Sequence, residues 1–160
     1  SLVLDAVVDL LQKLNKKEGY VPDALVLLQP TSPLRMPEDI DKSIHLFFQR
    51  KTSAVVTVCR TEGLVFTKDK KDRLCLESNP DFLKSSNRQA LPPTYKFDGC
   101  TVYIIKPDIL LKERTFIPKD TCAYTIPRWR ALDLDEPADF IMGEIIYKKR
   151  HDIDKALKKF

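Results

Sequence analysis

Asp133 and Asp135, separated by a single leucine, are the residues of this chain best suited to chemistry at a phosphate. In an extended segment alternate side chains fall on one side, so Asp133-Leu134-Asp135 would present two carboxylates together. Paired oxygen ligands suit Mg2+, which keeps water and substrate phosphate as its remaining ligands. A plainer use is also open, with Asp135 capping a helix that starts at Pro137 and Asp133 solvated, and the two roles are compatible. A second segment, Gln29-Pro30-Thr31-Ser32-Pro33-Leu34-Arg35, offers an amide, two hydroxyls and a guanidinium directly after an apolar run. Its prolines favour extended backbone, and local backbone bonds from Thr31 or Ser32 in a stiff connector are the alternative. The third cluster is Arg88-Gln89-Ala90-Leu91-Pro92, followed by Lys96, Asp98 and Gly99. Arginine presents a planar fork that fits a carboxylate, and lysine a mobile point charge suited to phosphate; otherwise these are solvated loop residues. Neither His45, near the apolar face of a helix, nor His151, in a basic tail, joins a Ser-His-Asp arrangement.

The elements that must position these groups follow from periodicity. Leu4, Val7, Val8, Leu11 and Leu14 predict an amphipathic helix from Ser1 to about Lys17, with Ser1 as its cap. Ala24 to Leu28 is a continuous apolar run, as in a strand buried on both faces of a parallel sheet. Pro37 and Glu38 open a second helix whose Ile40, Ile44, Phe47 and Phe48 share a face, and Ser53 to Val58 form the next strand. This α-β-α-β order predicts a Rossmann-like α/β fold, a mostly parallel sheet with helices on both sides. From about Arg60 the alternation breaks. Leu64-Val65-Phe66 and Leu74-Cys75-Leu76 flank the charged turn Lys68 to Arg73, which predicts a β-hairpin leading into an irregular stretch from Ser78 to Tyr95. Residues 60–98 therefore read as an inserted arm, a common dimerisation device, within one domain over 1–160. The sheet resumes with Cys100 to Ile105, a short helix near Pro107 to Lys112, and strands at Ala123-Tyr124-Thr125 and Ala131 to Leu134. A helix from Pro137 to about Arg150 closes the domain, and Asp152 to Phe160 adds a further basic turn or two. In open α/β sheets ligands bind beyond the carboxyl ends of the strands, which is where the segments after Leu28 and around Leu134 fall.

Bulk properties narrow the class. A chain of 160 residues with 43% hydrophobic and 31% charged residues is ordinary for one globular domain. Apolar runs such as Ala24 to Leu28 are far too short to cross a bilayer, so a soluble protein of the cytoplasm is expected. The net charge of +4 arises partly from the tail, Lys148-Lys149-Arg150 and Lys155 to Lys159, and reads as a solvated helix face without nucleic-acid binding. Cys59, Cys75, Cys100 and Cys122 show no C-x-x-C pair and no histidine spaced to complete a zinc site, so free thiols are expected, with Cys59 and Cys100 in the core.

Taken in order, Leu28 to Arg35, Arg88 to Pro92 with Lys96-Phe97-Asp98-Gly99-Cys100-Thr101-Val102-Tyr103-Ile104, and Leu132 to Phe140 resemble the acylneuraminate cytidylyltransferases, the CMP-sialic acid synthetases. The resemblance implies a three-layer nucleotide-transferase fold and a reaction joining CMP from CTP to a sialic-acid-like, nine-carbon acidic sugar with release of pyrophosphate. It implies Asp133 and Asp135 as the Mg2+ ligands and catalytic carboxylates, Gln29 at the sugar, and Arg88 with Gln89 at its carboxylate and neighbouring groups. Arg35, Lys96 and Asp98 complete the implied substrate-binding set, and the arm implies a homodimer. Lys96 and Asp98 stand where many relatives carry Arg and Asn, which bears on the identity of the sugar. Relatives also begin with a strand and a basic, glycine-containing loop around the triphosphate. Only four glycines occur, at 19, 63, 99 and 143, and none forms such a turn; the expectation is a longer polypeptide or a front segment not seen here. Two rival readings are a cytidylyltransferase for another acidic sugar and a non-catalytic dimeric interaction module that keeps the fold.

Overall fold

Strand β2 (Ala54–Thr61) is the axis of the molecule, because its residues Ala54 to Cys59 are all buried. A computed structural model describes residues 2–61, 65–77, 92–97 and 102–157. Around β2 lie β1 (Leu25–Leu27), β5 (Thr94–Lys96), β6 (Tyr103–Ile105) and β7 (Cys122–Ile126), forming one five-stranded sheet. The hairpin strands β3 (Phe66–Lys68) and β4 (Leu74–Leu76) make a separate two-stranded sheet. Helices α1 (Leu2–Glu18), α2 (Pro37–Arg50), α3 (Pro107–Glu113) and α4 (Pro137–Leu157) complete the described elements.

The period of two along β2 divides the core. Ala54 packs with Leu11 of α1, Leu110 of α3 and Ile105, while its neighbour Val55 packs with Phe47 of α2, Val102 and Ile104. Helices α1 and α3 therefore cover one face of the sheet and α2 the other, the three layers expected of an α/β fold. Pro37 at the first turn of α2 and Pro107 at that of α3 sit where a missing N–H is harmless, and Lys51 and Arg114 close the two helices in left-handed conformations.

Strand directions are mixed. Strands β1, β2 and β7 point the same way: β7 is the direct parallel neighbour of β2, whereas antiparallel β6 lies between β1 and β2. Along one edge of β2, β6 pairs with Ala54 to Val56 and antiparallel β5 with Cys59 to Thr61, end to end. At the junction Thr57 and Val102 exchange bonds: the Thr57 N–H donates to the Val102 carbonyl at 3.0 Å, and the Val102 N–H donates to Thr57 Oγ1 at 3.1 Å. That exchange satisfies both buried groups where the ladder changes partners.

Several expectations are corrected. β1 is not buried on both faces: it pairs antiparallel with β6, and Val26 is exposed. Phe48 is 55% exposed, because the buried stripe of α2 runs through Asp39, Ser43 and Phe47. His45 is likewise exposed. Residues 131–134 form no strand; a 3-10 turn at Arg128–Arg130 follows β7, and the chain continues to α4 without a ladder. Strand β5 falls within and just beyond the stretch expected to be irregular. The last helix continues past Arg150 to Leu157. The hairpin forms where expected, and Cys59 is buried. Ser1 and Cys100 lie outside the described residues.

Candidate active site at the carboxyl ends of the strands

Two segments distant in sequence meet where β1 and β7 end. The loop after β1, residues 28–36, turns tightly: Gln29 O accepts the Ser32 N–H at 3.4 Å and Arg35 Nη1 at 3.2 Å. Ser32 and Leu34 are buried, which fixes the loop from below. The segment after β7 reaches it through one backbone bond, Leu134 N–H to Thr31 O at 2.9 Å. The loop carrying Gln29 and Arg35 is thereby joined to the segment carrying Asp133 and Asp135.

Gly143 of α4 sets the course of that second segment. A Cβ at this position would lie 3.3 Å from Cδ2 of both Leu132 and Leu134, so two residues of i, i+2 spacing face one point on the helix. The two leucines therefore fall on one side of the segment. The alternation expected of a strand is present although the ladder is not. Asp133 is half-buried and Asp135 exposed. Oδ1 of Asp133 accepts the Leu134 N–H at 3.2 Å. Asp135 does not cap α4 with its side chain. Instead Asp139, in the first turn of the helix, reaches back, its Oδ2 accepting the N–H groups of Asp135 at 3.0 Å and Glu136 at 2.7 Å. Among the described residues none donates a hydrogen bond to the Asp135 carboxylate. Two such carboxylates fit a divalent ion that completes its shell with water and phosphate. Among the described residues no group of three or more His, Cys, Asp or Glu side chains is placed to hold a metal alone.

Gln29 also lines a cavity of about 280 Å3 with Leu27, Tyr103, Phe116 and Ile117 at the same end of the sheet. Tyr103 and Phe116 pack ring against ring, centroids 5.8 Å apart, and give that cavity a firm wall. Lys96 is half-buried on β5, opposite Cys59 in the carboxyl half of β2. Arg88, Gln89 and Asp98 lie outside the described residues.

Sequence reasoning missed the charged joint beneath these segments. Asp39, 1% exposed, pairs with Arg130 Nη1 at 3.2 Å and accepts the Met36 N–H at 3.0 Å. Burial pushes the Asp39 carboxyl above its ordinary value, against the opposing pulls of the Met36 N–H and the Arg130 charge. Burial likewise works against the Arg35 cation, and Asp39 partly restores it. A signal was present: Pro37-Glu38-Asp39 is a helix opening with an acid at its third position, the place from which a side chain reaches back to the cap.

The fold has a counterpart among solved structures. The 4-diphosphocytidyl-2C-methyl-D-erythritol synthase of Anaerococcus prevotii superposes with a TM-score of 0.56 over 91% of this chain and 63% of that one, at 12% identity. No protein-family model matches the chain. Among curated proteins, the post-translational flagellin modification protein B of Campylobacter coli is 28% identical over 134 residues, 81% of this chain and 54% of that protein. The N-acylneuraminate cytidylyltransferase of Streptococcus agalactiae serotype III is 32% identical over 119 residues, 72% of this chain and 28% of that protein. The CMP-N,N'-diacetyllegionaminic acid synthase of Legionella pneumophila is 26% identical over 151 residues, 89% of this chain and 61% of that protein. The chain thus spans from about a quarter to three fifths of the length of these relatives. The resemblance carried by the three motifs is borne out: this chain is homologous, at low identity and over part of their length, to N-acylneuraminate cytidylyltransferases, to a CMP-N,N'-diacetyllegionaminic acid synthase and to a flagellin modification protein.

Proposed function

We propose that this chain supplies the sugar and metal side of a Mg2+-dependent cytidylyltransferase that joins CMP from CTP to a sialic-acid-like sugar. The observation that carries the reading is the Leu134 to Thr31 bond, which joins the Gln29 loop to Asp133 and Asp135 beyond the strand ends. The names of the curated relatives support the substrate class. In the proposed reaction the anomeric hydroxyl of the sugar attacks the α-phosphorus of CTP; a new P–O bond forms, the bond to pyrophosphate breaks, and the hydroxyl proton is lost.

Asp133 and Asp135 would hold Mg2+, which supplies neutralisation of the charge developing on the transferring and leaving phosphates. Gln29 would orient the sugar through its amide, with Tyr103 and Phe116 closing the cavity beside it. Arg35 spends one donor on Gln29 O, so it holds the loop in shape as well as adding charge near the substrate. Lys96 would face the anionic sugar or a phosphate, Arg88 with Gln89 would bind the sugar's carboxylate and neighbouring groups, and Asp98 would belong to the same substrate-binding set. The arm of residues 60–98 would join two copies in a homodimer, a use favoured by the exposed Val65, Phe66 and Leu74 of its hairpin. A cytoplasmic site of action accompanies the reading; among the described residues no helix is long and apolar enough to cross a membrane.

The test is pyrophosphate release by the full-length protein from CTP and Mg2+ with a panel of nonulosonic acids, beside Asp133→Ala and Asp135→Ala. Each substitution is expected to lower sugar-dependent release by about 100-fold or more, the scale of losing one electrostatic stabiliser of the transition state. No release with any acidic sugar would instead favour a non-catalytic dimeric module.

A further inference from the structure

Asp133 and Asp135 lie on a segment that no strand ladder holds. Between the end of β7 at Ile126 and the start of α4 at Pro137, Asp139 holds the N–H groups of Asp135 and Glu136, and three further contacts among the described residues fix the chain before them. One is the 3-10 turn at Arg128–Arg130, in which Arg130 N–H reaches Pro127 O at 3.0 Å. Another is the seat of Leu132 and Leu134 on Gly143. The last is the Leu134 to Thr31 bond. The 3-10 turn is in turn fastened to α2 by the pair between Arg130 and Asp39, both largely buried. The same Asp39 closes the first turn of α2 by accepting the Met36 N–H, directly after the loop that carries Gln29, Thr31 and Arg35. One carboxylate therefore ties down the root of the Gln29 loop and the root of the Asp133–Asp135 segment together.

We propose that Asp39 and Arg130 are positioning residues, whose buried ion pair sets the placement of Asp133 and Asp135 against the Gln29 loop. The inference rests on the cytidylyltransferase reading of the site. Neither residue needs to touch substrate. Mg2+ demands near-ideal octahedral geometry and tolerates displaced ligands poorly, so a shift at the root of the segment reaches the chemistry through ligand placement. Arg130 reaches Asp39 through a single Nη1 contact, and a more strongly hydrated ammonium on a flexible stem would hold that buried contact less well. Among the described residues its Nε is buried without a hydrogen-bond partner, which leaves Asp39 as the anchor of the guanidinium.

The experiment compares wild type with Asp39→Asn and Arg130→Lys in the full-length protein, and with the double variant Asp39→Asn, Arg130→Gln in case a single substitution leaves a buried charge that prevents folding. Two quantities are read. Hydrogen exchange of the Leu134 amide needs no substrate. The half-saturating Mg2+ concentration and kcat for pyrophosphate release are read on folded protein. Expected are exchange at Leu134 at least about tenfold faster while Val55 in β2 keeps its protection, and a half-saturating Mg2+ raised by about tenfold or more with kcat lowered, on the scale of losing a group that orients a metal ligand. KM for CTP extrapolated to saturating Mg2+ should move little. A role confined to stability would lower the yield or melting temperature and leave the Mg2+ dependence of the folded fraction unchanged; that result, or unchanged Leu134 exchange, overturns the inference while leaving the enzyme reading in place. Wild type inactive with every acidic sugar overturns the enzyme reading, and this inference with it.

Discussion

Asp39 and Asp69 do the same local work in opposite surroundings. Each accepts backbone N–H groups at a chain reversal and an arginine guanidinium: Asp39 takes Met36 N–H and Arg130, and Asp69 takes the N–H groups of Lys71 and Arg73 with Nε of Arg73. Asp39 is buried between α2 and the turn before Asp133, and its carboxyl is pushed up by the loss of water. Asp69 lies in the turn of the β3–β4 hairpin, where the same kinds of hydrogen bond hold its carboxyl below the ordinary value because little desolvation opposes them. An ion pair is thus not a fixed quantity of stability. Its surroundings decide whether it is a joint whose loss is felt across the domain or a local clasp on a turn.

The sharpest way to break the comparison is truncation at both sites. Asp39→Ala leaves Arg130 charged and buried without its partner, and a loss of about 3–5 kcal/mol in chemical denaturation is expected. Replacing both partners by apolar residues, Asp39→Leu with Arg130→Met, should recover most of that loss while still releasing the Leu134 amide to exchange. Such an outcome separates the stability of the pair from its placement of the loop.

Next in size is Gly143→Val. Its branched side chain would meet Leu132 and Leu134, already 3.3 Å from where a Cβ would stand, and overpacking of about 1–3 kcal/mol is expected. Gly143→Ala combines a milder clash with a helix-propensity gain of about 1 kcal/mol, so a net change near zero would mean that the leucines can give way. Loss of metal-dependent activity with Val but not Ala would identify those leucines as the second hold on Asp133 and Asp135.

The smallest effect belongs to Asp69→Ala, expected to be invisible in global denaturation and seen only as faster amide exchange at Lys71 and Arg73. The pH sense of the two sites is opposite. A carboxyl held below its unfolded value of 3.8 contributes stability that is present above that value and is lost as pH falls through the folded one, so acid should loosen the hairpin first. The raised Asp39 carboxyl contributes in the other direction, losing stability as pH rises from 3.8 through its folded value. Residue-by-residue proton exchange between pH 2 and 6 would separate them; a hairpin that holds in acid would break the comparison at its exposed end.

Much of this arrangement was legible in the sequence, and for identifiable reasons. Continuous apolar β-branched residues gave away β2, since a central strand must be apolar on both faces, and the 3.6-residue spacing gave α1 and α2. The charged turn between Phe66 and Leu74 exposed the hairpin. The course of residues 131–135 was half legible: alternation put Leu132 and Leu134 on one side, but a helix glycine, a backbone bond to Thr31 and the Asp139 carboxylate, not a neighbouring strand, hold the segment. Partners so far apart in sequence leave no periodic trace. The Asp39 to Arg130 pair was invisible for the same reason, and the antiparallel β6 because apolar strands read alike in either direction.

Thr61 and Thr94 face each other across the β2–β5 ladder, where Thr94 Oγ1 also donates to Thr61 O at 2.9 Å. The chain leaves the sheet and rejoins it on a single rung, so everything between is a detachable parenthesis in the topology. Its length enters the folding free energy only through the slow logarithmic growth of loop closure. Evolution could lengthen, shorten or exchange that parenthesis with little disturbance to β2 or to the segment of Asp133 and Asp135, and because Arg88 and Gln89 of the proposed sugar site fall within it, the choice of sugar could change while the metal side stays in place.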